Sequence, residues 1–110
     1  MAYELRISAQ AWLDIDAVLD WTLQSFGEGQ REAYWELILA ALADLARDPE
    51  RARPRPEIHA SARTLHIARM GRAARHFLLV RIVDPGVVEV GRLLYDGMDI
   101  SLHLPPEYEP

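Results

Sequence analysis

The chain is 110 residues long, 50% hydrophobic and 26% charged, with a net charge of −5 and no cysteine. That is room for one domain, over 1–110, with one modest core and a globular composition. It excludes disulfides, thiolate metal sites and cysteine nucleophiles.

In chain order, Tyr3 to Ile7 alternates as a short strand does, and Ser8 is placed to cap a helix from about Ala9 to Ser25. Trp12, Ile15, Leu19, Thr22 or Leu23, and Phe26 recur at three and four residues and predict one buried stripe along that helix. Gly27 fits the joint where positive φ is needed. A second helix, from about Glu28 or Gln30 to Arg47, carries Tyr34, Leu37, Ile38, Ala41, Leu42 and Leu45, and Asp48-Pro49 stops it. The tight joint makes the pair an antiparallel hairpin.

Residues 49–62 show no apolar periodicity and read as a loop. Strand patterns resume over Thr64 to Arg69, turn at Met70-Gly71-Arg72 and continue from Ala74 to Val83, with Phe77 to Val80 apolar on both faces. Asp84-Pro85-Gly86 is a turn, and Val87 to Tyr95 is the last strand. The order β-αα-βββ predicts an α+β fold, with a helical hairpin packed on one face of a largely antiparallel sheet.

No apolar run approaches ~18 residues, so no transmembrane helix is expected, and MAYELRIS does not have the pattern of a signal peptide. A cytoplasmic address follows. The four His are scattered, so neither a metal site nor a cofactor is expected.

Charge is uneven along the chain. Residues 1–50 hold three Arg against ten acids, whereas residues 51–92 hold nine Arg against three acids, and there is no Lys. The middle block fits a surface that meets phosphates or an acidic protein segment; solvated strand faces would give the same count. The helices also hold apolar residues beyond their stripes: Leu13, Val18 and Trp21 on the first, Trp35 and Leu39 on the second. Such a surplus fits a groove for a partner helix, a hairpin sunk deep in the core, or a hairpin that dimerises.

The final segment, VVEVGRLLYDGMDISLHL, resembles the C-terminal signature of the RelE/ParE toxin superfamily in its ParE branch: a strand, then Met98-Asp99, then His103-Leu104. Upstream, Ala11, Asp14, Ile15 and Val18 resemble the family's Ala-x-x-Asp-Leu-x-x-Ile, and Trp21 takes its aromatic place. Phe26-Gly27, Gln30 and Tyr34 match the opening of its second helix, and Leu42, Leu45-Ala46 and Pro49 the close. Arg63 and Arg75-His76 fall where the family begins its next strands. The sequence departs from the pattern at Arg31, Val80, Tyr95 and Leu102, where the family usually has a small residue, Tyr, His and Arg.

The resemblance implies the toxin of a type II toxin–antitoxin pair that poisons DNA gyrase and is not an enzyme. It also implies neutralisation by a ParD-like antitoxin in a hetero-oligomer, with no specific DNA binding by the toxin alone. Antitoxin contacts are expected at Val18, Trp21, Trp35, Leu39, Arg63 and Arg75, and target contacts at Met98, Asp99 and His103, although Asp99 also suits the cap of a terminal helical turn. The superfamily's other branch implies a ribosome-dependent mRNA endonuclease. Its candidate catalytic residues here are Tyr95, Arg81, Arg75, Arg92 and His66, with Arg63 and His76 nearby. Against that branch, no Lys is present, and Arg is a poor general base. A third alternative is a non-toxic, antitoxin-binding domain of the same fold.

Overall fold

Ser8 ends the first strand and starts the first helix. Its Oγ accepts the Ala11 N–H at 3.0 Å and donates to Gly91 O at 2.9 Å, so one side chain caps the helix and ties it to the sheet. The computed structural model describes residues 2–108; Met1, Glu109 and Pro110 lie outside the described residues. Within them run β1 (Glu4–Ile7), α1 (Ala9–Phe26), α2 (Glu28–Arg47), β2 (Arg53–Pro54), β3 (Arg63–His66), β4 (His76–Asp84) and β5 (Val87–Tyr95). Short 3-10 turns follow α2 and close the tail at Ile100–Leu102 and Pro106–Tyr108.

The five strands form one sheet in the order β1-β5-β4-β3-β2, in which only the β1–β5 pair is parallel. The fold is therefore α+β, with the expected helical hairpin on a mostly antiparallel sheet. Gly27 joins the helices at φ 92° and ψ 176°, a region essentially reserved for glycine, and belongs to both. Its N–H closes α1 on Leu23 O, and its carbonyl receives the Arg31 N–H.

The main core lies between hairpin and sheet. Ile15, Leu19, Ile38 and Leu45 meet Leu78, Val80, Val88 and Val90, all buried. On α2 the expected stripe is the buried one, with Tyr34 at its margin. On α1 the helix is turned: Ala11, Ile15, Leu19 and Thr22 face the core, while Trp12 and Phe26, expected there, are exposed. Thr22 tolerates burial because its hydroxyl donates to Val18 O at 2.7 Å.

Several boundaries differ from the periodicity. The expected loop at 49–62 contains β2, too short to show a pattern, paired through Arg53↔Thr64 and Pro54↔Arg63. β3 stops at His66 rather than Arg69; Arg69 instead bridges Arg72 around the turn. β4 begins at His76, not Ala74. The opposite face of the sheet is covered by the tail. Tyr108, with Ile100 and Leu104 beside it, packs on Phe77, Leu79 and Leu94 in a second, smaller core.

The fold also resolves the charge asymmetry. Acids of the first half pair with arginines of the middle: Asp44, buried at the end of α2, is met by Arg47, Arg69 and Arg51; Glu36 by Arg72; and Asp14 by Arg92. Arg55, Arg75 and Arg81 find Glu57, Asp96 and Glu89. Seven of the nine arginines in 51–92 are thus engaged in ion pairs within the chain, which leaves the basic block far less free charge than its composition offers.

Candidate functional site

Where the last turn of α1 and the first turns of α2 pass over the start of β4 and the end of β5, they leave an open cleft of about 890 Å³. Its walls are aromatic: Trp21 and Phe26 from α1, Tyr34 from α2, His76 from β4 and Tyr95 from β5, with Arg75 at the rim. Trp21 and Phe26 stand edge to face, 5.5 Å between ring centres, and are 61% and 63% exposed. Large rings left in water at a concave surface are the usual anchor points of recognition.

The polar floor of the cleft is a connected network. Tyr34 Oη lies 2.5 Å from His76 Nδ1 and accepts the Arg75 backbone N–H at 3.2 Å. The phenol donates to Nδ1 when the His76 ring carries its proton on Nε2, and accepts from it in the other tautomer. Burial pushes the His76 pKa below its ordinary value, with Arg75 and His66 adding to this and Asp96 opposing it. Burial also raises the Tyr34 pKa, so the phenol keeps its proton.

Beside this pair, Arg75 donates through Nε to Asp96 Oδ1 at 3.2 Å and through Nη2 to Tyr95 Oη at 2.9 Å, with its guanidinium 5.1 Å over the Tyr95 ring. His66 Nδ1 accepts the Ala68 N–H, so Nε2 carries the proton that points at Asp96 Oδ2, 3.0 Å away. Hydrogen bonds from His66 first, and then from Arg75, hold the Asp96 carboxyl below its ordinary pKa. The network is charge-compensated, with the Asp96 carboxylate set between Arg75 and His66.

Of the residues expected to contact a partner, the structure brings Trp21 and Arg75 together in this cleft. The others are not gathered there. Val18 and Trp35 pack partly into the main core, so they are not part of an exposed surplus. Leu39 is exposed farther along α2. Arg63 donates to Ala52 O within the β2–β3 corner. Of the candidate catalytic set, Tyr95, Arg75, His66 and His76 share the cleft and its rim, but Arg81 and Arg92 do not. Arg81 is paired with Glu89 at 2.9 Å and lies near the Tyr108 ring. Arg92 is tied to Asp14.

Sequence reading missed Phe26 as a cleft residue because its spacing matched the stripe, and it missed Asp96 because only the fold brings it to Arg75 and His66.

The tail residues expected to touch a target sit apart from the cleft floor. Met98 follows the turn after β5 and is 37% exposed. Asp99 precedes the 3-10 turn Ile100–Leu102 and accepts the Leu102 N–H on its carbonyl; Leu102 is 77% exposed. His103 is half-buried, and its carbonyl receives Arg92 Nη1 at 3.1 Å. Among the described residues, no three His, Cys, Asp or Glu side chains converge as a metal site would, and no helix is long and apolar enough to cross a membrane.

Fold and cleft define a class: a small α+β domain with an open aromatic cleft beside a charge-compensated network. The family of ParE toxins of the type II toxin–antitoxin system parDE matches residues 5–100, and the chain belongs to that family. In structure it resembles a chain of the chromosomal ParDE TA system from P. aeruginosa with a TM-score of 0.71, covering 86% of this chain and 96% of that one. Sequence identity is 18%, so this likeness speaks to the fold. No curated protein sequence matches the chain significantly.

Proposed function

We propose that this member of the ParE toxin family inhibits DNA gyrase and is held inactive by a ParD-like antitoxin that docks in the Trp21–Phe26 cleft. The observation that carries the docking half is the pair of exposed rings beside Arg75. An amphipathic segment would bury them and set an acidic side chain against the Arg75 rim. Membership of the toxin family supports the toxic half, and the exposed Met98 and Leu102 make the tail the part to examine for target contact.

The test is induction of the protein alone in a bacterial host, following plasmid supercoiling and bulk translation together. Loss of supercoiling with translation intact is the expected outcome. Co-expression with a ParD-like antitoxin should restore growth, and Trp21→Asp should abolish that rescue.

The proximity of Tyr95, Arg75, His76 and His66 favours a second reading, ribosome-dependent mRNA cleavage. It requires a rapid stop in translation with cut mRNA, lost in Tyr95→Phe. Unimpaired growth after induction would defeat both readings and leave a non-toxic partner-binding domain.

A further inference from the structure

β1 pairs with β5 from Glu4↔Val87 to Ile7↔Val90. Among the described residues no strand neighbours the edge of β5 beyond Val90, and its next groups are satisfied otherwise. Ser8 Oγ takes the Gly91 carbonyl, and the Asp14 carboxylate, from α1, accepts the Leu93 N–H at 3.0 Å. Gly91 is the extra residue of a bulge, since Val80 pairs with Val90 and Leu79 with Arg92. A bulge of this kind re-aims the side chain that follows it.

Here that side chain is Arg92, and each end of its guanidinium fork is engaged. Nε meets Asp14 Oδ2 at 2.7 Å, Nη2 meets Asp14 Oδ1 at 3.0 Å, and Nη1 meets His103 O at 3.1 Å. The tail then runs against the bulge: a Cβ at Gly91 would stand 3.1 Å from Pro105 Cγ. Residues 96–102 are therefore a loop pinned at one end by β5 and at the other by Arg92 on His103. Its exposed apolar side chains are Met98 and Leu102.

We propose that Arg92, oriented by Asp14, is the positioning residue that fixes this loop in the form that meets the toxin's protein target. The inference rests on the reading that the target is gyrase and that the tail contacts it. A bidentate bond to one carboxylate plus a third bond to a carbonyl is a geometry that guanidinium supplies and ammonium does not. Lysine at 92 keeps the charge and loses the clamp.

The experiment compares wild type, Arg92→Lys and Leu102→Asp by inhibition of purified gyrase and by hydrogen exchange of backbone amides. The Leu102 and His103 amides, bonded to Asp99 O and Ile100 O, report on the loop, and those of β3 and β4 report on the fold. Arg92→Lys should speed exchange at 102 and 103, leave β3 and β4 protected, and weaken inhibition by roughly tenfold, the scale of one charged hydrogen bond. Leu102→Asp should weaken inhibition with the Arg92–His103 bond and loop exchange unaltered.

Unchanged loop exchange in Arg92→Lys overturns the proposal, as does faster exchange with full inhibition. If β3 and β4 lose as much protection as 102 and 103 in Arg92→Lys, the residue is a general stabiliser and the positioning role fails. A wild-type protein inert on gyrase defeats the target reading itself. Leu102→Asp with full potency, in an active wild-type background, removes the tail from the target surface while leaving the gyrase reading standing.

Discussion

Two arginine–aspartate pairs, built from the same side chains, do different work within a few residues of each other, one in the second half of β5 and one just past its end. Arg92 and Asp14 are 18% and 11% exposed and make a forked pair that also satisfies a strand amide and a tail carbonyl. Arg75 and Asp96 are 67% and 30% exposed; they share their bonds with Tyr95 and His66 at the rim of the cleft. Water screens the second pair and hardly reaches the first. The lesson is that pairing alone does not tell structure from function in this chain; desolvation and the other groups on the same carboxylate do. The covered pair holds helix, strand and tail in register. The open pair lies where water competes for its bonds.

The comparison breaks first at Asp14. Asp14→Ala strands Arg92 and the Leu93 N–H in a poorly hydrated place, and loss of one partner from such a pair costs about 3 kcal/mol. For a domain of this size the Tm should fall by roughly 15 °C. A shift of only a degree or two in thermal denaturation would show that the pair is hydrated and the contrast false.

At the open pair the effect should appear in binding rather than stability. Trp21→Asp removes one of the two exposed rings and should lower antitoxin affinity by roughly thirtyfold or more, as expected of a buried aromatic anchor, with Tm almost unmoved. Unfolding of that variant would mean that Trp21 belongs to the core. Asp96→Asn should be milder still. It keeps an acceptor oxygen for only one of Arg75 and His66, at a rim where water can serve the other, so Tm should fall by no more than a degree or two; a marked loss would make the rim a structural element like the Asp14 tie.

Much of the fold was legible because helix periodicity reports burial directly. Leu37, Ile38, Ala41, Leu42 and Leu45 recur as a core face must, and they are the core face. On α1 the same reasoning failed at both ends. Trp12 and Phe26 have the right spacing, but apolar identity does not fix the rotation of a helix when Ala11 and an internally bonded Thr22 fill the contact better. The site was legible only in fragments. Trp21 and Arg75 were both singled out, yet what joins them is the meeting of α1 with β4, and Tyr34 and His76 are 42 positions apart. Arg92 resembled an active-site cation because a charge in a strand invites that reading. Its partner lies 78 residues away on a helix, beyond any local pattern. Ion pairs of this range are set by register and docking, which composition does not encode.

The smallest effect is a titration, and it separates His76 from Asp96, both of whose pKa values are lowered. Burial holds His76 below its ordinary value of 6.5. As pH falls past that value the unfolded chain takes up a proton that the folded chain resists, so the contribution of neutral His76 is complete above about 6.5 and fades as pH drops toward the lowered folded value. Asp96 is depressed from 3.8, and its contribution holds above that pH and disappears only in stronger acid. Between about pH 7 and pH 5 the wild-type Tm should therefore decline through His76, with Asp96 silent. His76→Phe should flatten the decline in this range and leave the steeper loss in stronger acid. An unchanged slope in His76→Phe would mean that Nδ1 takes its proton as readily in the folded cleft as in water. Tyr34 would then be free to turn its hydroxyl elsewhere, and the floor of the cleft would be as open to water as its rim.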